Sequence, residues 1–293
     1  ENEQGVKLKA ELNEKYYSVE EVKNFLEKNY NSIFNISSID KKPAKKSPTP
    51  PFTTSTLQQE ASRKLGFGVT RTMSTAQKLY EAGLITYMRT DSVTISNEAK
   101  SSIVQKIESK YGEDYVNLRD YKNKNKSAQE AHEAVRPTDI NIEEITSDYD
   151  QQRLYHLIWK RTISSQMSDA QIERTVVNIQ SDSYNEFFVA RGEVIKFDGF
   201  LRVYNEGTDD EIEEEKGVLP ALSINENLNL LSISSRESFS RPPSRFTEAS
   251  LVKKLEELGI GRPATYATTI STIQNRGYIA CLLYTSPSPR DRI

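Results

Sequence analysis

A single cysteine, Cys281, in 293 residues excludes an internal disulfide framework and a cysteine-rich zinc site, and it fits a reducing cytoplasm. No apolar run is long enough to cross a bilayer. The opening Glu1-Asn2-Glu3-Gln4 has no Met, basic stretch or apolar stretch, so no signal peptide is visible. What is there, 36% apolar and 28% charged residues, is the composition of a soluble protein with room for two or three domains. The net charge of −3 argues weakly against nucleic acid, but it is a whole-chain sum, and binding follows where the charge sits. Much of the acid lies in Asp209-Asp210-Glu211 and Glu213-Glu214-Glu215, which reads as a solvated loop. Lys41, Lys42, Lys45, Lys46, Arg63, Lys64 and Arg71 concentrate positive charge elsewhere.

The pattern begins with a short strand, Val6 to Leu12, and a helix from Val19 to about Tyr30 capped by Ser18. The Pro/Lys stretch from Lys41 to Pro51 reads as an irregular, exposed crossing between domains. Residues 55–149 read as mainly helical. Ser55 and Gln58 have capping-box spacing, Met73 to Tyr80 share a face up to Gly83, and Ser96 caps a helix that Gly112 stops. Gln151 to Met167 is a further helix, with His156 inside its apolar stripe as a structural residue. The period then changes to two: Thr175-Val177-Ile179, Phe187-Val189 and Leu228-Leu230 alternate as strands do, and 225–234 closes the β region. A helix pair follows. Phe246 and Leu251 occupy staple positions around an N-cap at Thr247, Leu255 and Leu258 continue the stripe, and Gly259 to Pro263 turn the chain into a helix ended by Gly277.

Three clusters can carry chemistry. In Gly83-Leu84-Ile85-Thr86-Tyr87-Met88-Arg89-Thr90-Asp91-Ser92, a phenol at a strand end is followed by a guanidinium able to hold a phosphate in two places. Tyrosine can act as a covalent nucleophile. A tyrosine that merely packs at a strand end satisfies the same residues. In Gln129 to Asp139, His132 and Arg136 lie one helical turn apart and could face one phosphate, or His132 could be structural. A zinc-protease reading fails because position 136 is Arg, not His. In Gly259-Ile260-Gly261-Arg262-Pro263-Ala264-Thr265-Tyr266, backbone N–H groups, Arg262 and the Thr265 hydroxyl can cradle a phosphate. A glycine-tightened helical corner is the alternative.

Taken together and in order, Pro51 to Gln59, Ala76 to Ser92, Ala131 to Asp139 and Arg245 to Tyr278 resemble bacterial topoisomerase I, the type IA family, with the likeness running from Val6 to Ile279. The resemblance implies a multidomain α+β fold: part of a toroid, with a β-rich arch and helical domains. It divides the chain into a discontinuous arch (1–49 and 150–236), a helical domain carrying the tyrosine (50–149) and a partial DNA-clamp domain (237–279). Residues 280–293 then read as a non-native tail. It implies that Tyr87 attacks DNA to form a 5′-phosphotyrosyl link without ATP. Arg89, Asp91 and His132 would act around the same phosphate, and Gln77, Arg136, Arg262, Thr265 and Arg276 would grip DNA. The implied partner is single-stranded or negatively supercoiled DNA, bound by a monomer in the bacterial cytoplasm at the nucleoid. The implied Mg²⁺ belongs to a toprim domain outside these 293 residues, so no metal ligand is expected here. A helix–turn–helix DNA-binding module without chemistry and a purely structural helical scaffold are the rival readings.

Overall fold

The computed structural model describes residues 1–2, 5, 7–122, 133–205, 207, 219–240 and 242–279, and the chain sorts into two compact units. His132, the acidic run 209–215 and the tail 280–293 lie outside the described residues. Among the described residues, no helix is long and apolar enough to cross a membrane.

Unit 1 comprises 1–47, 169–199 and 210–243. Its period-two segments become a five-stranded antiparallel sheet: β1 (Glu11–Leu12), β2 (Phe34–Lys46), β3 (Ala170–Ser181), β4 (Tyr184–Phe197) and β5 (Asn227–Leu228). The strand order is β1-β4-β3-β2-β5. One face buries Phe34, Ile36, Val177, Ile179, Ala190 and Leu228. Helix α1 (Val19–Asn29) starts in a capping box between Ser18 and Glu21, and its Phe25 ring lies 5.9 Å from that of Phe188 on β4.

The sheet departs from the sequence reading in two places. The first strand is confined to Glu11–Leu12, and the expected 225–234 region to Asn227–Leu228. The Pro/Lys stretch is not irregular: β2 runs straight through it to Lys46, in register with β3 from Lys41↔Thr175 to Lys46↔Ala170. Proline is tolerated because beyond Ile36 no described residue pairs with the second side of β2, so the N–H that Pro43 lacks was never needed. A register shift between Ile36 and Ser38 bends the strand where its two halves meet.

Unit 2 comprises 48–168, 200–209 and 244–293, and it is helical: α2 (Thr54–Leu65), α3 (Val69–Glu81), α4 (Asn97–Tyr111), α5 (Tyr149–Ser165), α6 (Glu248–Glu257) and α7 (Tyr266–Asn275). The cap of α2 is Thr53, not Ser55. Thr53 and Thr56 serve each other's backbone N–H groups, leaving the Ser55 hydroxyl to donate to Glu256 at 2.8 Å. Helix α5, which the arch assignment had placed with the β-rich part, packs against α2 and α3. Its Leu154, Ile158 and Ile163 are fully buried, and Trp159 Nε1 donates to the Ile140 carbonyl at 2.8 Å. His156 stacks parallel to Trp159 in the same helix, and burial, then Lys160, hold its pKa below the ordinary value. On α6 the buried face is Ala249 and Val252. Phe246 and Leu258 are 63% and 60% exposed, so neither the staple nor the end of the stripe forms. Val69, Val252, Tyr266 and Ile270 make the shared core of α3, α6 and α7.

One buried carboxylate ties residues 204 and 207 to α2. Glu60 on α2 is 1% exposed and accepts from the Tyr204 hydroxyl (2.6 Å), the Gly207 N–H (3.2 Å) and Arg63 (3.2 Å). Its ligands satisfy a charge that would otherwise be costly to bury.

Candidate active site

The segment after α3 is held by backbone and threonine hydrogen bonds on both sides of one exposed phenol. Leu84 to Thr86 were expected as a short strand, but they form a single bridge, Ile85↔Pro137. The Thr86 N–H donates to the Arg136 carbonyl at 2.9 Å, and the Thr138 N–H donates to that of Leu84 at 3.0 Å. The Thr86 hydroxyl donates to the Ala134 carbonyl (2.7 Å) and accepts the Arg136 N–H (3.0 Å). On the other side of the tyrosine, the Thr54 hydroxyl donates to the Met88 carbonyl at 2.7 Å, and Thr54 N–H bonds the Thr90 carbonyl at 2.8 Å. Val135 N–H closes the knot on Phe52 at 2.8 Å.

Burial alternates along this segment. Ile85, Met88 and Thr90 point inward, while Tyr87, 43% exposed, and Arg89 point out. A nucleophile needs this combination of a fixed backbone and an accessible reacting atom. The Tyr87 ring also meets Tyr80 of α3 edge-on, with centroids 5.3 Å apart and planes at 66°. Arg89 makes no side-chain hydrogen bond or ion pair among the described residues, so its guanidinium is available to an incoming anion.

Asp91 lines a cleft with Thr53, Ser55, Glu256, Arg262 and Tyr266, so α2, α6, α7 and the tyrosine segment converge on one place. Burial, then Glu256, raise the Tyr266 phenol pKa, Arg262 opposes them, and Asp91 adds to the rise. The phosphate cradle expected at the start of α7 is partly spent on the turn itself. The Thr265 hydroxyl accepts the Arg262 N–H at 2.8 Å and donates to the Arg262 carbonyl at 3.2 Å. Gly261, at φ +83°, lets the turn pass under the Tyr266 ring, where a Cβ would come within 3.2 Å. The Arg262 side chain is exposed and, among the described residues, bonds only its neighbour's carbonyl, that of Gly261.

The remaining candidates sit further out. Arg136 is joined to the tyrosine segment through Thr86, and its guanidinium is held by Glu133 at 2.6 Å. Burial raises the Glu133 pKa, but hydrogen bonds from Ser96 and Arg136 outweigh it, and the net value falls below the ordinary 4.5. Gln77 is partly buried on α3 and bonds Glu81 at 2.8 Å, and Arg276 is exposed at the end of α7. Neither lines the cleft. Sequence reasoning passed over Thr54, Glu133, Glu256 and Tyr80. The first two sit inside motifs already singled out, and Glu256 gave no signal because its partner Ser55 is 201 residues away. Among the described residues, no three His, Cys, Asp or Glu side chains are grouped as metal ligands.

The sequence profile of the family described as DNA topoisomerase matches residues 1–287. DNA topoisomerase 1 of Rickettsia felis is 46% identical over 295 residues, covering 95% of this chain and 37% of that protein. The enzyme of Rickettsia bellii is 50% identical over 277 residues, 88% of this chain and 34% of the relative. The solved structure of full-length topoisomerase I from Thermotoga maritima superposes with a TM-score of 0.75 at 36% identity, over 94% of this chain and 46% of that one. The chain spans about a third of the length of the curated relatives it matches.

Proposed function

Because this chain belongs to the bacterial topoisomerase I family, the type IA DNA topoisomerases, we propose that Tyr87 is the nucleophile that opens one strand of DNA. The observation that carries the reading is an exposed phenol on a backbone pinned from both sides, through Thr86 and through Thr54. In the step, the phenol oxygen bonds phosphorus and loses its proton. The bond from phosphorus to the 3′-oxygen breaks, and that oxygen takes up a proton as it leaves. The 5′-phosphotyrosyl link keeps the bond energy, so religation needs no ATP.

Arg89, exposed and without a partner among the described residues, holds the scissile phosphate in two places. Asp91 and His132 act around the same phosphate. Arg262, exposed at the edge of the cleft that Asp91 lines, contacts the DNA strand, with Gln77, Arg136, Thr265 and Arg276 as further strand contacts. Unit 1 corresponds to the arch, and unit 2 to the helical part of a toroid that relaxes negatively supercoiled DNA as a monomer at the bacterial nucleoid. Mg²⁺ is assigned to carboxylates of a toprim domain outside this chain, and the 293 residues alone are expected to bind DNA without cutting it.

The test is Tyr87→Phe in the full-length protein. Only a hydroxyl is removed, so the fold should stand while relaxation and covalent adduct both disappear. Relaxation at the parental rate would remove Tyr87 from the role.

A further inference from the structure

The outer half of β2 offers a second surface. From Asp40 to Lys46 every residue is exposed except Ala44, which is partly buried, and past Ile36 the strand has no described partner on its free side. Four lysines stand on this edge. Lys41 and Lys45 continue the face that carries Ile39, and Lys42 and Lys46 project from the opposite one. None of the four makes a hydrogen bond or ion pair among the described residues. Of the neighbouring acids, Glu193 is engaged by Arg174 at 2.9 Å and Glu173 by Lys196 at 3.3 Å, which leaves Asp40 as the one acid set against the four lysines within the stretch. Lys42 stands directly across from Arg174, whose charge Glu193 answers, so Lys42 itself has no carboxylate partner among the described residues. The edge is thus strongly cationic in a chain whose net charge is −3.

Edge lysines also discourage strand-to-strand aggregation. Pro43 already blocks pairing at the middle of the edge. Lys41 to Lys45 spans roughly 13 Å of strand, a rigid spacing along which a polyanion can be tracked. The stretch 38–47 contains no aromatic residue on which a base could stack, so contact would be with phosphates and indifferent to sequence.

We propose that this edge binds the phosphate backbone of double-stranded DNA, apart from the strand that reaches Tyr87. Duplex is favoured over single strand because it carries twice the phosphate charge per length, and the surface has nothing that would reward unpaired bases. The proposal rests on the DNA-cleaving reading only for the nature of the polyanion.

The experiment measures binding in the full-length protein carrying Tyr87→Phe, so that no covalent adduct contributes. Lys41, Lys42, Lys45 and Lys46 are changed together to Gln. A control changes the exposed Lys7, Lys9, Lys15 and Lys23 to Gln, altering the net charge equally. At about 0.1 M salt the edge variant should bind a short duplex on the order of a thousandfold more weakly, with the salt slope reduced by about three to four units. The control and a four-lysine-to-Arg variant should stay near the parent, and affinity for single strands should fall less than for duplex. Equal loss in edge variant and control, loss restricted to single strands, or aggregation with unchanged duplex affinity would each overturn it. The comparison of edge variant with control holds whether or not Tyr87 is the nucleophile, because every variant shares the Tyr87→Phe background.

Discussion

Arg89 and Arg136 show two ways of using the same side chain. Arg136 is held by Glu133 and by the Pro137 carbonyl, so its geometry is set before any ligand arrives. Arg89 is unheld, and its planar fork becomes ordered only on an anion. Lysine keeps the charge but not the fork, so Arg89→Lys in the full-length protein should cleave single-stranded oligonucleotides on the order of a hundredfold more slowly, the size of effect associated with misplacing a reacting group. Cleavage at the parental rate would make Arg89 an ordinary surface charge. Glu133 carries a pH signature. Its folded pKa lies below 4.5, so the stability it contributes is fully present above that value and is lost as pH falls through the lower one. The difference in melting temperature between parent and Glu133→Gln should therefore be flat above about pH 6 and shrink below pH 4.5. A difference that grows on acidification would contradict the assigned partners. The residues of this site were legible where their chemistry is local, as in the run from Tyr87 to Asp91. Glu133 was hidden in plain view, because its role depends on Ser96, brought up by a fold the motif does not encode.

Among the elements, α3 begins without a cap of its own. Gly68 has no side chain to offer, and the Val69 N–H is taken at 2.7 Å by Glu248 of α6, a residue 179 positions away. A Cβ at this position would stand 3.2 Å from the Glu248 carboxylate and push it aside by a few tenths of an ångström. Glu248→Ala should weaken the first turn of α3 by about 1 kcal/mol, the usual worth of a cap, and speed hydrogen exchange at the amides of Val69 to Thr72. Unchanged exchange would mean that water serves that turn equally well. Helices with caps in their own sequence, α1 at Ser18 and α4 at Ser96, were readable within a residue or two, whereas a cap lent by another helix leaves no local trace. The same limit explains β2. Proline beside four lysines looks like a linker until the strand is known to be an edge, where neither feature conflicts with pairing on one side only.

At the scale of the whole molecule, the chain leaves and re-enters each unit repeatedly. Residues 200–209 are a short return into unit 2 whose business is the Glu60 carboxylate. Tyr204→Phe removes the shortest of its hydrogen bonds while keeping the ring under Lys64 and Arg161. It should destabilise unit 2 by about 1–3 kcal/mol, read as a lower urea midpoint for unfolding of this unit. No change in midpoint would show that Arg63, Lys64 and Gly207 suffice. The alternation of helical and period-two stretches made the α+β character legible from sequence. The assignment of α5 to the helical unit was not, because an amphipathic helix records that it has a buried face without recording what covers it.

Glu60 and Tyr204 are 144 residues apart, which turns a hydrogen bond into a matter of timing. A ribosome adding roughly 5–20 residues each second emits the carboxylate about 7–30 s before its hydroxyl partner. Over that interval the nascent helix α2 carries a charge destined for the interior with only Arg63 and Lys64 at hand. The helical half of this protein therefore completes its interior only after β3 and β4, which lie between the two residues, have been made.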